Sequence, residues 1–178
     1  MLEKKLKTGN LGEMKLNDFK TDLEYSLEAR ELEMFDNFYM RIFGADLKIE
    51  LVTDKILQFK GIDKILHLPS GKKLYIDEKK RRGVWNDILV EIWSNTEKKT
   101  PGWVFKPFPD YIVYAFLKTH KCYLLPALLL RLWVSKNWNN VKKFKEIKAQ
   151  NLGYTTTSYA IPIPILLNGL RDEMERII

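Results

Sequence analysis

The chain has 178 residues, of which 46% are apolar and 30% are charged. This balance is typical of a folded globular protein and excludes a disordered or fibrous chain, and the length predicts a single domain over residues 1–178. Thirty Lys and Arg residues against 23 Asp and Glu residues give a net charge of +7, which favours polyanionic partners such as nucleic acid.

The first predicted element is an amphipathic helix over residues 18–43, because its apolar residues recur at three- and four-residue steps. Gly44 lies where a C-terminal cap is expected. Alternating β-branched and aromatic residues then predict strands over residues 46–53, 56–68, 72–80 and 85–94. Turn residues at 69–71 predict that the second and third strands form an antiparallel hairpin.

The second half of the chain alternates strands and helices. A proline-rich loop is predicted over residues 100–109, and a polar, lysine-rich segment without a predicted strand covers residues 137–150. The other predicted elements are strands at 111–117, 121–125 and 154–161 and helices at 127–136 and 163–178. This order predicts an α/β fold, with α+β as the alternative.

Carboxylates lie on both strands of the predicted hairpin. Asp63 is placed in the first strand, and Asp77 and Lys79 lie two residues apart in the second. Because side chains alternate along a strand, Asp77 and Lys79 share one face of the sheet. The hairpin can therefore bring all three side chains together.

Such a group has a definite chemistry. Two carboxylates supply the hard oxygen ligands that Mg²⁺ or Mn²⁺ prefers, and a bound cation supports phosphodiester hydrolysis by activating water and neutralising charge. Lys79 can hold the attacking water and stabilise the transition state. The predicted catalytic residues are Asp63, Asp77 and Lys79, and the predicted metal ligands are Asp63 and Asp77. Glu91 is a further candidate ligand, because a carboxylate buried in an apolar strand needs a partner or a metal.

A second register fits the same segment. Glu78 and Lys80 form an equivalent pair on the opposite face, and Leu74 and Ile76 share their parity. An active-site strand usually buries apolar residues earlier on the same face, which favours this alternative. A charged strand end that only keeps an edge soluble would also give this pattern.

With a leading helix, Asp63, a hairpin and the tripeptide Asp77-Glu78-Lys79, the chain resembles the PD-(D/E)XK nuclease superfamily. Ile62 stands where the superfamily's name gives proline. Residues 85–91, 101–103 and 110–114 are similar to segments downstream of the motif in small phage-associated members. The resemblance covers about residues 19–133 and favours Asp77 and Lys79 over the second register.

The resemblance implies a restriction-endonuclease-like core, in which helices flank a mixed central sheet. It implies a Mg²⁺-dependent nuclease that hydrolyses DNA through a metal-activated water. It also suggests that Glu24 or Glu28 on the first helix faces the metal. The scaffold serves many nucleic-acid substrates, so the substrate structure stays open, and cutting both strands at one place would favour a homodimer.

Basic and aromatic residues near the motif are candidates for contact with nucleic acid. The candidates for phosphate contacts are Lys80, Arg81 and Arg82. The candidates for stacking on exposed bases are Trp85, Trp93 and Trp103, although tryptophans in a domain of this size more often lie in the core.

Two other functions fit the sequence. A non-catalytic nucleic-acid-binding α/β domain, such as a degenerate nuclease, would bind DNA without cutting it. A protein-interaction domain would use the aromatic loop at residues 102–108. The acidic pair favours the enzyme, because a chain that only bound polyanions would gain from losing the carboxylates.

The remaining features bear on location. Cys122 is the only cysteine, which excludes an internal disulfide and fits a reducing compartment. No apolar leader or spanning run is present in the sequence, which predicts a cytoplasmic protein with no membrane partner. Cys122 is predicted to be a buried packing residue, and no role is predicted for His67 or His120.

Overall fold

The computed structural model describes residues 29–177. Within that part the elements in chain order are α1 (Ala29–Phe43), β1 (Lys48–Leu51), α2 (Lys55–Phe59), β2 (Lys64–His67), β3 (Lys73–Arg81), β4 (Asp87–Asn95), β5 (Thr100–Pro101), β6 (Tyr111–Phe116), β7 (Lys121–Pro126), α3 (Ala127–Lys136), α4 (Trp138–Val141), β8 (Lys145–Asn151), β9 (Tyr154–Pro162) and α5 (Ile163–Glu175). Short 3₁₀ turns occupy Trp103–Phe105 and Leu117–Thr119.

Helix α1 confirms the described part of the first predicted helix. Its apolar face buries Phe35, Phe38 and Tyr39, which are three and four residues apart. The helix ends at Gly44, whose φ of +100° suits glycine and whose N–H donates to the Met40 carbonyl at 2.9 Å. The start of the predicted helix, with Glu24 and Glu28, lies outside the described residues.

A five-stranded sheet carries the hairpin. Its order is β1-β2-β3-β6-β7, and every pair is antiparallel except β3 with β6. The predicted α/β class, with a mixed sheet and an antiparallel hairpin from β2 to β3, is therefore confirmed. Strand β6 is buried on both faces, because α1 packs on one side of the sheet and a second sheet packs on the other.

That second sheet has the order β5-β4-β9-β8 and is antiparallel throughout. The prediction of one central sheet is wrong in this respect, because β4 pairs with β9 across about seventy residues of sequence instead of joining β3. The register of β4 shifts between Glu91 and Trp93, which is a β-bulge. Helices α3 and α5 pack with this sheet in a common core.

Two segments differ from their predicted form. The sequence predicts one strand over residues 56–68, but Asp54 accepts hydrogen bonds from the Ile56 and Leu57 amides at 2.7 and 3.1 Å and starts helix α2 instead. The lysine-rich segment at 137–150 contains α4 and β8, and β8 is an edge strand that pairs with β9. In residues 29–177, no helix combines the length and apolar character needed to cross a bilayer.

Candidate active site

The β2–β3 hairpin brings Asp63 next to Asp77. Lys64 pairs with Ile76 in the antiparallel ladder. If this register is continued by one residue, Asp63 lies opposite Asp77. The Asp63 amide donates to the Ile76 carbonyl at 2.8 Å, and the Glu78 amide donates to Asp63 Oδ2 at 2.7 Å. The prediction that Asp63 lies within a strand is wrong by one residue, because β2 begins at Lys64. The hydrogen bond from the Glu78 amide holds the Asp63 carboxylate against the β3 backbone.

Asp77 is buried beside this carboxylate, with 1% of its surface exposed. Lys79 Nζ donates to Asp77 Oδ1, while Asp77 Oδ2 has no hydrogen-bond partner within the described part of the chain. Burial raises the pKa of Asp77 to about 7; the Lys79 ammonium opposes this shift and the Asp63 carboxylate adds to it. Asp77 thus carries an unsatisfied buried oxygen next to a second carboxylate.

Lys79 lies on the same face as Asp77, as the alternation of β3 predicts. Burial lowers the pKa of Lys79, but the carboxylates of Asp77 and Asp63 outweigh it and raise the pKa above its ordinary value. Lys79 is therefore an ammonium group held among carboxylates.

Glu91 reaches the same place from the second sheet. It sits at the bulge of β4, and its Oε1 accepts a hydrogen bond from the Trp103 amide at 3.1 Å. Burial raises the pKa of Glu91, and the Trp103 amide, Lys79 and Lys106 counter the shift. The structure thus brings all three predicted carboxylates to the neighbourhood of Lys79, two from the hairpin and one from the facing sheet.

A divalent cation needs oxygen ligands that converge on it. Across residues 29–177, no three His, Cys, Asp or Glu side chains form a closed group around a common point. The unpartnered Asp77 Oδ2 beside Asp63 nevertheless supplies adjacent carboxylate oxygens, which is the donor type that Mg²⁺ or Mn²⁺ takes. These two residues fit a cation that keeps its other positions for water and phosphate oxygens.

The second register lies on the opposite face, against α1. Glu78 Oε1 accepts from the Tyr39 hydroxyl at 2.8 Å and lies 3.3 Å from Lys64 Nζ, and Lys64 also pairs with Asp36 at 2.5 Å. Lys80 Nζ lies 5.5 Å from the centre of the Phe35 ring. Glu78 is therefore part of a buried network that joins the hairpin to the helix.

This arrangement explains the parity noted in the sequence. Leu74 and Ile76 share a face with Glu78 because that face packs into the core beneath α1. The opposite face of β3, which carries Asp77 and Lys79, looks toward the second sheet. The apolar parity thus marks the packing surface of the helix.

Two cavities meet at Lys79, Glu91 and Trp103. One has a volume of about 570 Å³ and extends along α2 and the proline-rich loop, where its walls include Phe59 and Phe108. The other has a volume of about 280 Å³ and extends between β3, β4 and the β8–β9 hairpin. The candidate site therefore opens on both sides of Lys79.

Lys106 is a site residue that the sequence did not identify. Gly61 has a φ of +82°, and a Cβ on it would lie 2.6 Å from Lys106 Cδ and 3.4 Å from Asp77 Oδ2. The Lys106 carbonyl accepts a hydrogen bond from Arg131 of α3 at 2.5 Å, which anchors the loop. No spacing in the sequence links Lys106 to Asp77. The one feature of the sequence that could have indicated a close approach here is Gly61, after the end of α2.

The predicted nucleic-acid contacts have mixed environments. Arg81 is ion-paired with Asp87 and lies over the Trp85 ring at 4.2 Å, so its guanidinium is engaged within the protein. Arg82 is exposed, and Lys80 borders the smaller cavity while its Nζ lies over Phe35 on the opposite face of β3.

The tryptophans differ in the same way. Trp85 is half exposed and Trp93 is half-buried against the core. The stacking hypothesis is wrong for Trp103, which is buried with only 6% exposed because its ring belongs to the core shared by both sheets.

The three residues without a predicted role lie elsewhere. His67 pairs with Glu50 at 2.7 Å. Cys122 packs against the core under α1, as predicted, but it is only half-buried because β7 is at the sheet edge. His120 and Cys122 line a separate cavity with α1.

Comparison with family models, with curated proteins and with solved structures finds no match for this chain.

Proposed function

We propose that the protein is a Mg²⁺-dependent nuclease that hydrolyses DNA phosphodiester bonds, with a restriction-endonuclease-like core. The observation that carries this proposal is the hairpin that sets Asp63 beside the buried Asp77, with Lys79 on the same face. Support for the core comes from α1, which packs on one face of the mixed sheet that bears the hairpin.

Asp63 and Asp77 are the proposed ligands for Mg²⁺ or Mn²⁺. When bound there, the cation would lower the pKa of water and offset charge on the phosphodiester. The unpartnered Asp77 Oδ2 supports this role, since a buried carboxylate oxygen without a donor is costly unless something else satisfies it. Because Glu91 does not join Asp63 and Asp77 in a three-ligand group within the described residues, its proposed role is to orient Lys79 from the opposite sheet.

Lys79 has two proposed tasks. Its ammonium is fixed by Asp77 and stays protonated, so it can donate to the attacking water and to an oxygen of the phosphodiester. Because such a donor is fixed before reaction, it stabilises developing negative charge without reorganising.

The charge around the site suits a polyanion. Lys60, Lys79 and Lys106 line the larger cavity, and Lys79 also lines the smaller one. Together with the net charge of +7, these groups would draw DNA toward the acidic pair.

The rival proposal is a domain of the same kind that binds DNA without cutting it. Two observations favour it: Lys79 already neutralises Asp77, and the described residues form no three-ligand group. Binding and turnover must therefore be measured separately.

The test compares wild type with Asp63→Asn and Asp77→Asn on supercoiled plasmid, in Mg²⁺, in Mn²⁺ and in EDTA. Asp172→Asn, an exposed change on α5, is the matched control. Cutting should require the cation and should fall about a hundredfold or more in the two site variants, because even groups that only orient a metal ligand are worth about 10- to 100-fold. DNA binding without cutting in any cation would favour the rival proposal.

Metal binding also has a readout that does not depend on activity. Mg²⁺ at a hundred times its dissociation constant would stabilise the folded chain by about 2.7 kcal/mol, so the melting temperature should rise by several degrees. The Asp77→Asn variant should lose this rise and Asp172→Asn should keep it. An equal rise in all chains would place the cation elsewhere.

A further inference from the structure

The larger cavity beside Lys79 has walls of a particular composition. Its volume of about 570 Å³ lies within the roughly 300–1,000 Å³ typical of sites for small organic groups. It is lined by Glu91 and Lys79 at the inner end, and by Phe59 and Phe108 farther out. The cavity therefore reaches the candidate site at Lys79 and Glu91.

The two phenylalanines are exposed to solvent. Phe59 is 84% exposed at the end of α2, and Phe108 is 48% exposed between Pro107 and Pro109. An aromatic ring normally lies in the core, where its large apolar surface contributes to stability. Two exposed rings on one cavity are instead typical of a surface that binds flat apolar groups.

The same wall is positively charged. Lys60 Nζ lies 4.8 Å from the centre of the Phe108 ring, and Lys79 and Lys106 also line the cavity. Lys79 is ion-paired with Asp77, so the ammonium groups of Lys60 and Lys106 are those that attract an anionic occupant. A nucleotide combines the two features, since its base stacks on aromatic rings and its phosphate pairs with lysine.

We propose that this cavity binds an unpaired nucleotide of a single-stranded DNA segment, with the base on Phe59 and Phe108 and the backbone along Lys60 and Lys106. The proposal rests on the nuclease function above and names its substrate class. Bases within a duplex are stacked on each other and offer no free face, whereas an overhang or flap does. The single-stranded segment would then lead to Asp63 and Asp77.

The test measures binding by the full chain in EDTA, which prevents metal-dependent cutting. The probes are a labelled single-stranded DNA oligonucleotide and a blunt duplex of the same sequence, followed by fluorescence anisotropy. The double variant Phe59→Ala, Phe108→Ala should lose about tenfold or more in affinity for the single strand, which is the scale of a base–aromatic stack. Its affinity for the duplex should stay within about twofold of wild type.

Two controls accompany this comparison. Leu128→Ala removes an exposed apolar side chain on α3 that lines neither cavity, and it should bind both probes as wild type does. Phe108→Tyr keeps an aromatic ring and should retain single-strand binding. Thermal melting of each variant checks that it is folded.

Several results would overturn the proposal. The first two are an equal loss of affinity for both probes in the double variant, or no loss of affinity for the single strand. The third is tighter binding of an RNA oligonucleotide of the same sequence than of the DNA. The fourth is no binding of any nucleic acid, which would favour a protein partner for this wall. Plasmid cleavage by the wild-type chain separates failure of the cavity proposal from failure of the nuclease proposal. Cutting that depends on Asp77, together with unchanged single-strand binding in the double variant, would remove only the cavity assignment.

Discussion

The carboxylates of Asp63 and Asp77 lower the stability of the folded chain, and the fold does not need this pair in order to form. Asp77 is buried, its Oδ2 has no donor among residues 29–177, and the Asp63 carboxylate raises its pKa further. Uncompensated groups of this kind destabilise a protein and are concentrated at functional sites. At the scale of single residues, the buried and unsatisfied Asp77 is therefore the observation that most strongly favours a functional role for the hairpin.

Gly61 offers a test at the same scale. Alanine there must adopt a positive φ, at a cost of about 1–3 kcal/mol, and its Cβ would push into Lys106 and toward Asp77 Oδ2. Gly61→Ala should therefore lose stability and most of the plasmid cleavage. Unfolding curves and initial cleavage rates measure the two effects.

Gly71 is the matched control. Its φ of +83° is nearly the same, but a Cβ there meets no atom within 4 Å. Gly71→Ala should lose similar stability from backbone strain and keep its cleavage rate. If both variants cut equally well, the contact between Gly61 and the site has no functional role.

Local sequence patterns account for part of the site and leave part of it unexplained. Strand alternation and a short turn are local features, so they are enough to predict that Asp63, Asp77 and Lys79 lie together. Lys106 lies in the proline-rich loop and Phe59 ends helix α2. Their approach depends on long-range packing, and no local pattern encodes it.

At the scale of elements, a buried ion network connects α1 to the hairpin. Lys64 is 2% exposed and pairs with both Asp36 and Glu78. Lys64→Met keeps the length of the side chain but leaves Glu78 buried without its cation, so the expected loss is about 3–5 kcal/mol in the free energy of unfolding. Urea titration measures it.

The control for this prediction is an exposed pair. Lys148 lies 3.3 Å from Glu146 on edge strand β8, with both side chains largely in solvent. Lys148→Met should cost about 0–1 kcal/mol. Equal losses in the two variants would mean that the Lys64 network contributes no more than a surface contact.

Helix α2 shows why one element is predicted wrongly from the sequence. Ile56, Leu57 and Phe59 are apolar residues of the kind found in strands, and these favour a long strand over residues 56–68. The Asp54 cap and the turn at Gly61 decide the local structure instead. The consequence for function is that Phe59 stays on the surface of the larger cavity.

At the scale of the whole molecule, the candidate site lies where two sheets face each other. The hairpin supplies Asp63, Asp77 and Lys79, and the second sheet supplies Glu91. The sequence predicts most of the strands, although not β8, and it does not predict their division into two sheets, because the pairing of Asp87 with Pro162 is a long-range choice. A homodimer and a cytoplasmic location stay predictions from the sequence.

The central claim is that Lys79, and not Lys80, assists the chemistry on DNA. The most direct measurement is the turnover of plasmid by Lys79→Met and Lys80→Met at saturating DNA in Mg²⁺, with DNA affinity measured in EDTA. Lys79→Met should bind DNA and lose turnover by about 10²- to 10³-fold, as expected when one transition-state donor is removed. Lys80→Met should bind DNA and turn over at nearly the wild-type rate, because the Lys80 ammonium lies over Phe35 on the face beneath α1. Full turnover by Lys79→Met, with loss in Lys80→Met, would contradict the account and favour the opposite face of β3.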